Sequence, residues 1–272
     1  MIYCPICKGK SHLIWKERKY KVYNKVYRCR GCKVAFLQPV PEVPEIIYSE
    51  SYFQKWYIKY YKERKRYIEE LFSLCEKHLD RKGKLLDVGC GIGILLDVAK
   101  EKGWEVYGQD ISLFAVNYCR SKGYNIYDKP LPELNLPNNS FDVITIFDVL
   151  AHLKDPVSYI NTCAKLLKLG GYLVIKTPYH SPLLFFIAGI LSFTGKSRSL
   201  LHIPAQIFHF NPQSLRIILI DDFILLKTIK LTDFSSFQRG KFICITKNKS
   251  IISIWQKNKN YQKIDNGIKI AK

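Results

Sequence analysis

From residue 84 onward the chain alternates short apolar runs with stretches of helical periodicity, and this alternation constrains the fold more than any other feature. Lys84-Leu85-Leu86-Asp87-Val88 reads as a strand, and residues 92–102 as a helix closed by Gly103. A strand over 104–110, a helix over 112–122 ending at Gly123 and a buried strand over 141–147 follow. Next come a helix over 158–169, stopped by Gly170-Gly171, and a strand over 172–176. Elements spaced in this way build a doubly wound parallel sheet with helices on both faces. Residues 223–226 and 242–245 are expected to add two strands. The Lys- and Asn-rich tail after Thr246 is expected to be either disordered or a weak basic helix.

The first strand runs into Asp87-Val88-Gly89-Cys90-Gly91-Ile92-Gly93 before the first helix. Glycines at such a turn let the backbone approach a ligand closely, and the helix start offers free N–H groups. The spacing is G-x-G-x-G, and the third glycine of the dinucleotide fingerprint would fall on Ile94, which disfavours a nicotinamide cofactor. Asp110 ends the next strand, 17 residues after Gly93, where a carboxylate can accept both hydroxyls of a ribose.

Three stretches now line up. The run 85–93 resembles the first motif of the class I S-adenosylmethionine-dependent methyltransferases, and Val106-Tyr107-Gly108-Gln109-Asp110-Ile111-Ser112 resembles the second. Leu136-Pro137-Asn138-Asn139-Ser140-Phe141-Asp142-Val143-Ile144, followed by residues 148–156, is similar to the segment after that. The resemblance implies an α/β fold with a doubly wound, mostly parallel, seven-stranded Rossmann-like sheet. It implies that Gly89 and Gly91 face the methionine and sugar of S-adenosyl-L-methionine, with Gly93 completing the loop. Asp110 would hold the ribose, Ile111 would flank the adenine, and Asp87 would orient the loop and the methionine amine. Phe147 and Asp148 would sit beside the sulfonium. Where relatives often place an acid or amide for the adenine amine, this chain has Pro130-Leu131, so either Asp128 or the backbone at Leu131 serves there.

Methyl transfer is an in-line displacement that needs a positioned acceptor and, for some acceptors, a base. His152, after the fourth strand, and His180, after the fifth, lie on the ligand-binding edge as candidate catalytic bases; each alternatively only braces a loop. His202 and His209 precede Asn211-Pro212-Gln213-Ser214-Leu215, which resembles the family's substrate-side lid. The apolar run 183–193 within that lid either covers the pocket as a packed helix or meets a lipid-linked acceptor or membrane surface.

Nine cysteines in 272 residues need an explanation. The segment Met1-Ile2-Tyr3-Cys4 has no apolar leader, so a cytoplasmic, reducing location is expected, where paired cysteines signify metal or redox chemistry. Cys4-x-x-Cys7 and Cys29-x-x-Cys32, separated by 21 residues, match a four-thiolate zinc ribbon; a redox dithiol would need only one pair. The intervening residues 20–27 alternate like a hairpin, and a unit this small needs a metal to supplement its core. Cys75, Cys90, Cys119, Cys163 and Cys244 read as small buried hydrophobes. Residues 27–39 and 47–53 resemble the zinc-binding leader of one branch of bacterial and archaeal class I methyltransferases. Members of that branch commonly act on small molecules, including sugars and sugar nucleotides. The expected organisation is a zinc ribbon over 1–45, a helical linker over 46–82, the methyltransferase domain over 83–246 with a lid at 180–211, and a basic tail over 247–272.

A net charge of +20 would attract phosphates, acidic headgroups or nucleic acid. Three functions follow. The favoured one is a methyltransferase for a small-molecule or glycan-type acceptor, above all a sugar or sugar nucleotide. The second is an RNA methyltransferase gripping phosphates through the ribbon and basic surface. The third is a non-catalytic zinc-ribbon interaction protein, against which the intact Asp87, Gly89, Gly91, Gly93 and Asp110 argue.

Overall fold

The computed structural model describes residues 1–17, 24–40, 48–193, 196–232 and 249–258. At the N-terminus, β1 (Ile2–Tyr3), β2 (Lys10–Lys16), β3 (Lys25–Cys29) and β4 (Ala35–Gln38) form an antiparallel meander; of the stretch 20–27 expected to alternate as a hairpin, residues 25–27 lie in β3 and residues 20–23 lie outside the described residues. The segment expected as a linker then folds into α1 (Glu50–Phe53), a π-helical turn over Gln54–Ile58 and α2 (Tyr61–Glu76). Leu71, Phe72 and Cys75 of α2 are buried against Leu85, Leu95, Val98 and Trp104.

The alternating region supplies β5 (Lys84–Val88), α3 (Ile94–Glu101), β6 (Glu105–Gln109), α4 (Leu113–Ser121), β7 (Asn125–Tyr127), β8 (Phe141–Phe147), α5 (Pro156–Leu166) and β9 (Leu167–Tyr179). Pro156 opens α5, and the Asp155 side chain accepts from the Ser158 N–H, a proline-plus-cap start that fixes where the chain turns back. After β9 come α6 (Pro182–Ile190), α7 (Lys196–Leu201), β10 (Phe208–His209), α8 (Pro212–Leu219), β11 (Phe223–Thr232) and β12 (Lys249–Lys257). The large sheet has seven strands in the order β11-β12-β9-β8-β5-β6-β7. Pairing is parallel from β9 to β7 and antiparallel at β12 and β11. This is the expected doubly wound architecture.

Three expectations change. The tail that read as disordered or weakly helical contains β12, which pairs with β9 on one side and β11 on the other. Its Ile251, Ile252, Ile254 and Trp255 are buried, and cross-strand packing outweighs the local Lys and Asn content. The boundary at 246 therefore falls just ahead of a strand inside the sheet; the strand expected at 242–245 and residues 259–272 lie outside the described residues. Gly170-Gly171 does not separate a helix from a strand but lies within the 13-residue β9. Finally, the ribbon and the lid are not separate units. β10 pairs antiparallel with β4, making the small sheet five-stranded in the order β1-β2-β3-β4-β10.

That junction is apolar and hydrogen-bonded. Cys4, Cys29, Cys32, Val34 and Phe36 of the ribbon share one core with Ile146, Leu150, Phe208 and Phe210. The Leu37 N–H donates to Ile207 O at 2.8 Å, and the Ile207 N–H donates to Ala151 O at 2.8 Å. One face of α6 closes the other side of the ribbon, with Phe185 and Ala188 packed among Trp15, Val26 and Leu37. Its opposite face exposes Leu183, Phe186 and Ile190, and Phe193 beyond it. No helix among the described residues is long and apolar enough to cross a membrane.

Candidate functional site

The glycine loop sits at the C-terminal end of β5, the edge where parallel α/β sheets bind ligands. Gly89, Gly91 and Gly93 all adopt left-handed φ, at 71°, 53° and 77°. A Cβ at Gly89 would collide with Val149 Cγ2, and one at Gly93 would lie 2.9 Å from Cys119 Sγ. Gly89 and Gly93 thus leave no room for a side chain, and Gly91 is favoured by its left-handed φ. Asp110 holds it: its carboxylate accepts from the Gly91 N–H at 2.8 Å and from the Ser112 N–H at 2.9 Å. Each carboxylate oxygen keeps a second lone pair for a ligand hydroxyl. Burial pushes the Asp110 carboxyl up, as it does Asp87, which rises to about 7. Asp87 accepts from Thr145 Oγ1 at 2.7 Å beneath the loop.

Ile111 is 59% exposed beside Asp110, an uncovered apolar face suited to a flat ring. The other adenine candidates behave differently. Asp128 pairs with Arg120 at 3.1 Å, and the Leu131 side chain is fully buried in the core; the Pro130 and Leu131 carbonyls already accept from the Glu133 and Leu134 N–H groups.

The expected linker is a cover for this loop, a role that sequence reasoning missed. A Cβ at Gly91 would touch Phe53 Cε1 at 3.4 Å, and Ser112 Oγ donates to Tyr48 O at 2.9 Å. Tyr48, Tyr52 and Tyr57 pack around Phe53. Burial raises the Tyr48 hydroxyl to about 12, with the charge of Asp110 contributing; Tyr52 and Tyr57 rise by burial too, with Asp148 among the smaller causes. Only the density of tyrosines at 48–61 signals this cover in the sequence. Asp97, also overlooked, clamps this cover by accepting from Tyr61 OH at 2.6 Å, Tyr124 OH at 2.6 Å and Lys122 Nζ at 2.5 Å.

At the end of β8, half-buried Phe147 leads into Asp148, which adopts φ 59° and pairs with Lys176 Nζ at 2.5 Å. Left-handed φ in a non-glycine residue is strained and concentrates at functional sites. His152 lies one short turn on. Its Nδ1 donates to Ala205 O at 2.7 Å, so the proton is on Nδ1 and the lone pair is on Nε2. Burial lowers its pKa, keeping the ring neutral. His180 follows β9 and meets His209 of β10, Nδ1 to Nδ1, at 3.2 Å; His202 lies 6.1 Å from His180 between ring centroids. Burial drives His180 down to about 4. The structure thus gathers His152, His180, His202 and His209 on one edge, whereas the sequence offered the first two as bases.

The four ribbon cysteines also converge. Their sulfurs all lie within 4.8 Å of one another, with Cys4–Cys32 at 3.6 Å and Cys7–Cys29 at 3.4 Å. A tetrahedral ion with 2.3 Å Zn–S bonds requires sulfurs about 3.8 Å apart, so the set fits zinc. Knuckle amides point at the sulfurs, those of Ile6 and Cys7 at Cys4 and those of Gly31 and Cys32 at Cys29. Lys8 and Lys33, each following a knuckle, take the same left-handed φ of 59° and 62°.

Residues 60–220 match the family described as "Methyltransferase domain". The chain belongs to the class I S-adenosylmethionine-dependent methyltransferases. A "Ubiquinone biosynthesis O-methyltransferase" from Saccharophagus degradans is 33% identical over 132 residues, 46% of this chain and 53% of that protein. A protein of the same name from Coxiella burnetii is 36% identical over 120 residues, 42% of this chain and 49% of its own length. The methyltransferase here spans about half the length of these curated relatives. Among solved structures, a SAM-dependent methyltransferase from Archaeoglobus fulgidus superposes with a TM-score of 0.55 at 18% identity. It covers 74% of this chain and 100% of its own and supports the fold.

Proposed function

We propose that this methyltransferase transfers a methyl group to a hydroxyl of a small-molecule acceptor, with a sugar or sugar nucleotide as the favoured class. The observation that carries the reading is the loop of three left-handed glycines tied to Asp110, with the lone pair of His152 Nε2 on the same edge. Bound S-adenosylmethionine would supply an activated methyl on its sulfonium. Gly89, Gly91 and Gly93 would admit it, Asp110 would accept its ribose hydroxyls, and Asp87 would face its amine. The aromatic cover around Phe53 excludes water from that region. His152 would take the acceptor's proton through Nε2 while Ala205 O holds the ring in place. The names of the relatives support an oxygen acceptor. The zinc held by Cys4, Cys7, Cys29 and Cys32 would be structural, fixing the ribbon edge on which the lid is paired.

Tritium transfer from labelled cofactor into a panel of small acceptors tests this directly. Transfer to phenols, sugars or sugar nucleotides that falls at least a hundredfold in Gly91→Val supports it. Transfer to ribosomal or transfer RNA at physiological salt would favour the RNA reading that the net charge of +20 raises. The exposed stripe Leu183, Phe186, Ile190 and Phe193 supports one further partner, a membrane surface contacted peripherally.

A further inference from the structure

The ribbon contributes more to the acceptor edge than a brace. In the small sheet, Arg28 of β3 pairs with Ala35 of β4, and Ala35 pairs with His209 of β10. Directly paired residues project to the same face of a sheet, so Arg28, Ala35 and His209 form a row with the small alanine in the middle. Phe185 of α6 covers this row: the Arg28 guanidinium lies 5.0 Å from its ring centroid and His209 5.3 Å, edge-on. His180 closes the corner at 3.2 Å from His209.

Two polar groups here lack what they need. Arg28 is half-buried, and among the described residues no carboxylate pairs with it. The sequence holds no Asp or Glu from residue 156 to residue 220, so the lid brings none. His209 is 4% exposed and its Nε2 has no hydrogen-bond partner. A buried polar atom left unpaired and a desolvated cation without an anion each cost stability, and such costs persist at sites built for a ligand. Burial and mutual proximity keep both histidines neutral; their Nδ1–Nδ1 hydrogen bond uses one ring's only proton, so with His180 Nδ1 donating it is His209 Nε2 that presents an N–H. An oxyanion satisfies this set, accepting a charged fork from Arg28 and a neutral N–H from His209 Nε2.

We propose that Arg28 and His209, with His180 holding the His209 ring, form an anion-binding subsite that receives a phosphate or carboxylate carried by the acceptor. This rests on the reading of the lid side as a small-molecule acceptor site. It would make the zinc ribbon part of substrate recognition, since Arg28 precedes the ligand Cys29 and its position follows from the knuckle.

The test uses the full chain saturated with S-adenosylhomocysteine, whose own affinity is recorded separately. Inorganic phosphate and benzoate are titrated calorimetrically at fixed ionic strength. At least one should bind once per chain with Kd below about 10 mM; phosphate alone points to a phosphorylated acceptor, benzoate alone to a carboxylic acid. Arg28→Gln and His209→Asn should each weaken that binding at least tenfold, as expected on loss of a donor to a charged group. Arg66→Gln, an exposed charge on α2, should leave it unchanged. Because Arg28→Gln borders a metal ligand, the ring signals of His180 and His209 in the unsubstituted protein give a second readout and should shift on anion addition. Absence of binding by both anions, unshifted histidines, or equal weakening in Arg66→Gln would overturn the subsite. Failure of S-adenosylhomocysteine to bind while an anion still does would instead count against the methyltransferase reading.

Discussion

Removing one zinc ligand should loosen the acceptor lid while leaving the cofactor half of the site intact. Cys29→Ser breaks a set of four thiolates whose sulfurs sit within 4.8 Å of one another. The lid depends on that set through three hydrogen bonds: Leu37 N–H to Ile207 O at 2.8 Å, Asn211 Nδ2 to Lys33 O at 2.9 Å, and Gln213 Nε2 to Gly31 O at 3.3 Å. At about 1 kcal/mol net each, their loss amounts to about 3 kcal/mol, or roughly a hundredfold in local opening. Amide hydrogen exchange over residues 206–213 should therefore accelerate about a hundredfold, or more if the shared packing of Phe36 with Phe208 is lost as well. Residues 85–88, whose backbone pairs with β6 and β8, should keep their protection, and S-adenosylhomocysteine affinity should change less than twofold. Metal analysis must show zinc lost in the variant. Unchanged exchange at 206–213 in a zinc-free protein would refute the coupling of ribbon and lid.

Asp87 should shape the pH dependence of stability. Its folded pKa of about 7 lies above the value near 3.8 of a free aspartate, so the folded state retains this proton where the unfolded state releases it. Stability attributable to that proton is complete below pH 4 and is lost as the pH rises through 7. Asp87→Asn should flatten the melting profile of the apo protein between pH 4 and 8 and raise its stability at pH 8 by up to about 4 kcal/mol; an unchanged profile would show that burial is not what sets this group. His152→Ala should lower kcat by about 10²–10⁴ without altering cofactor affinity. Because burial holds its pKa below 6.5, the acid limb of kcat should fall below that pH in the unsubstituted enzyme and vanish in the variant; equal kcat in both would remove His152 from the mechanism.

Much of this fold was readable because its signals are local. The glycine loop, Asp110 and the strands from 84 to 176 are encoded by contiguous periodicity, and the chain turns where Gly103 and Gly123 place left-handed residues. What escaped depends on partners distant in sequence. β12 reads as a basic tail until β9 and β11 bury its isoleucines, and β10 is two residues long with meaning only through its pairing to β4. The site divides in the same way. The carboxylates and glycines were visible as a motif, whereas the Phe53 cover, the Asp97 clamp and the histidine group form only when the ribbon, linker and lid meet over the sheet edge.

The central claim is that the loop tied to Asp110 is an S-adenosylmethionine site, and calorimetric titration of S-adenosylhomocysteine tests it most directly. The unsubstituted protein should bind one equivalent. Asp110→Ala removes the tie to the Gly91 N–H and, on the proposed reading, the acceptor for two ribose hydroxyls, and should weaken binding at least tenfold, more than 1.4 kcal/mol. Equal affinity in the two proteins, or no binding to either, would contradict the assignment.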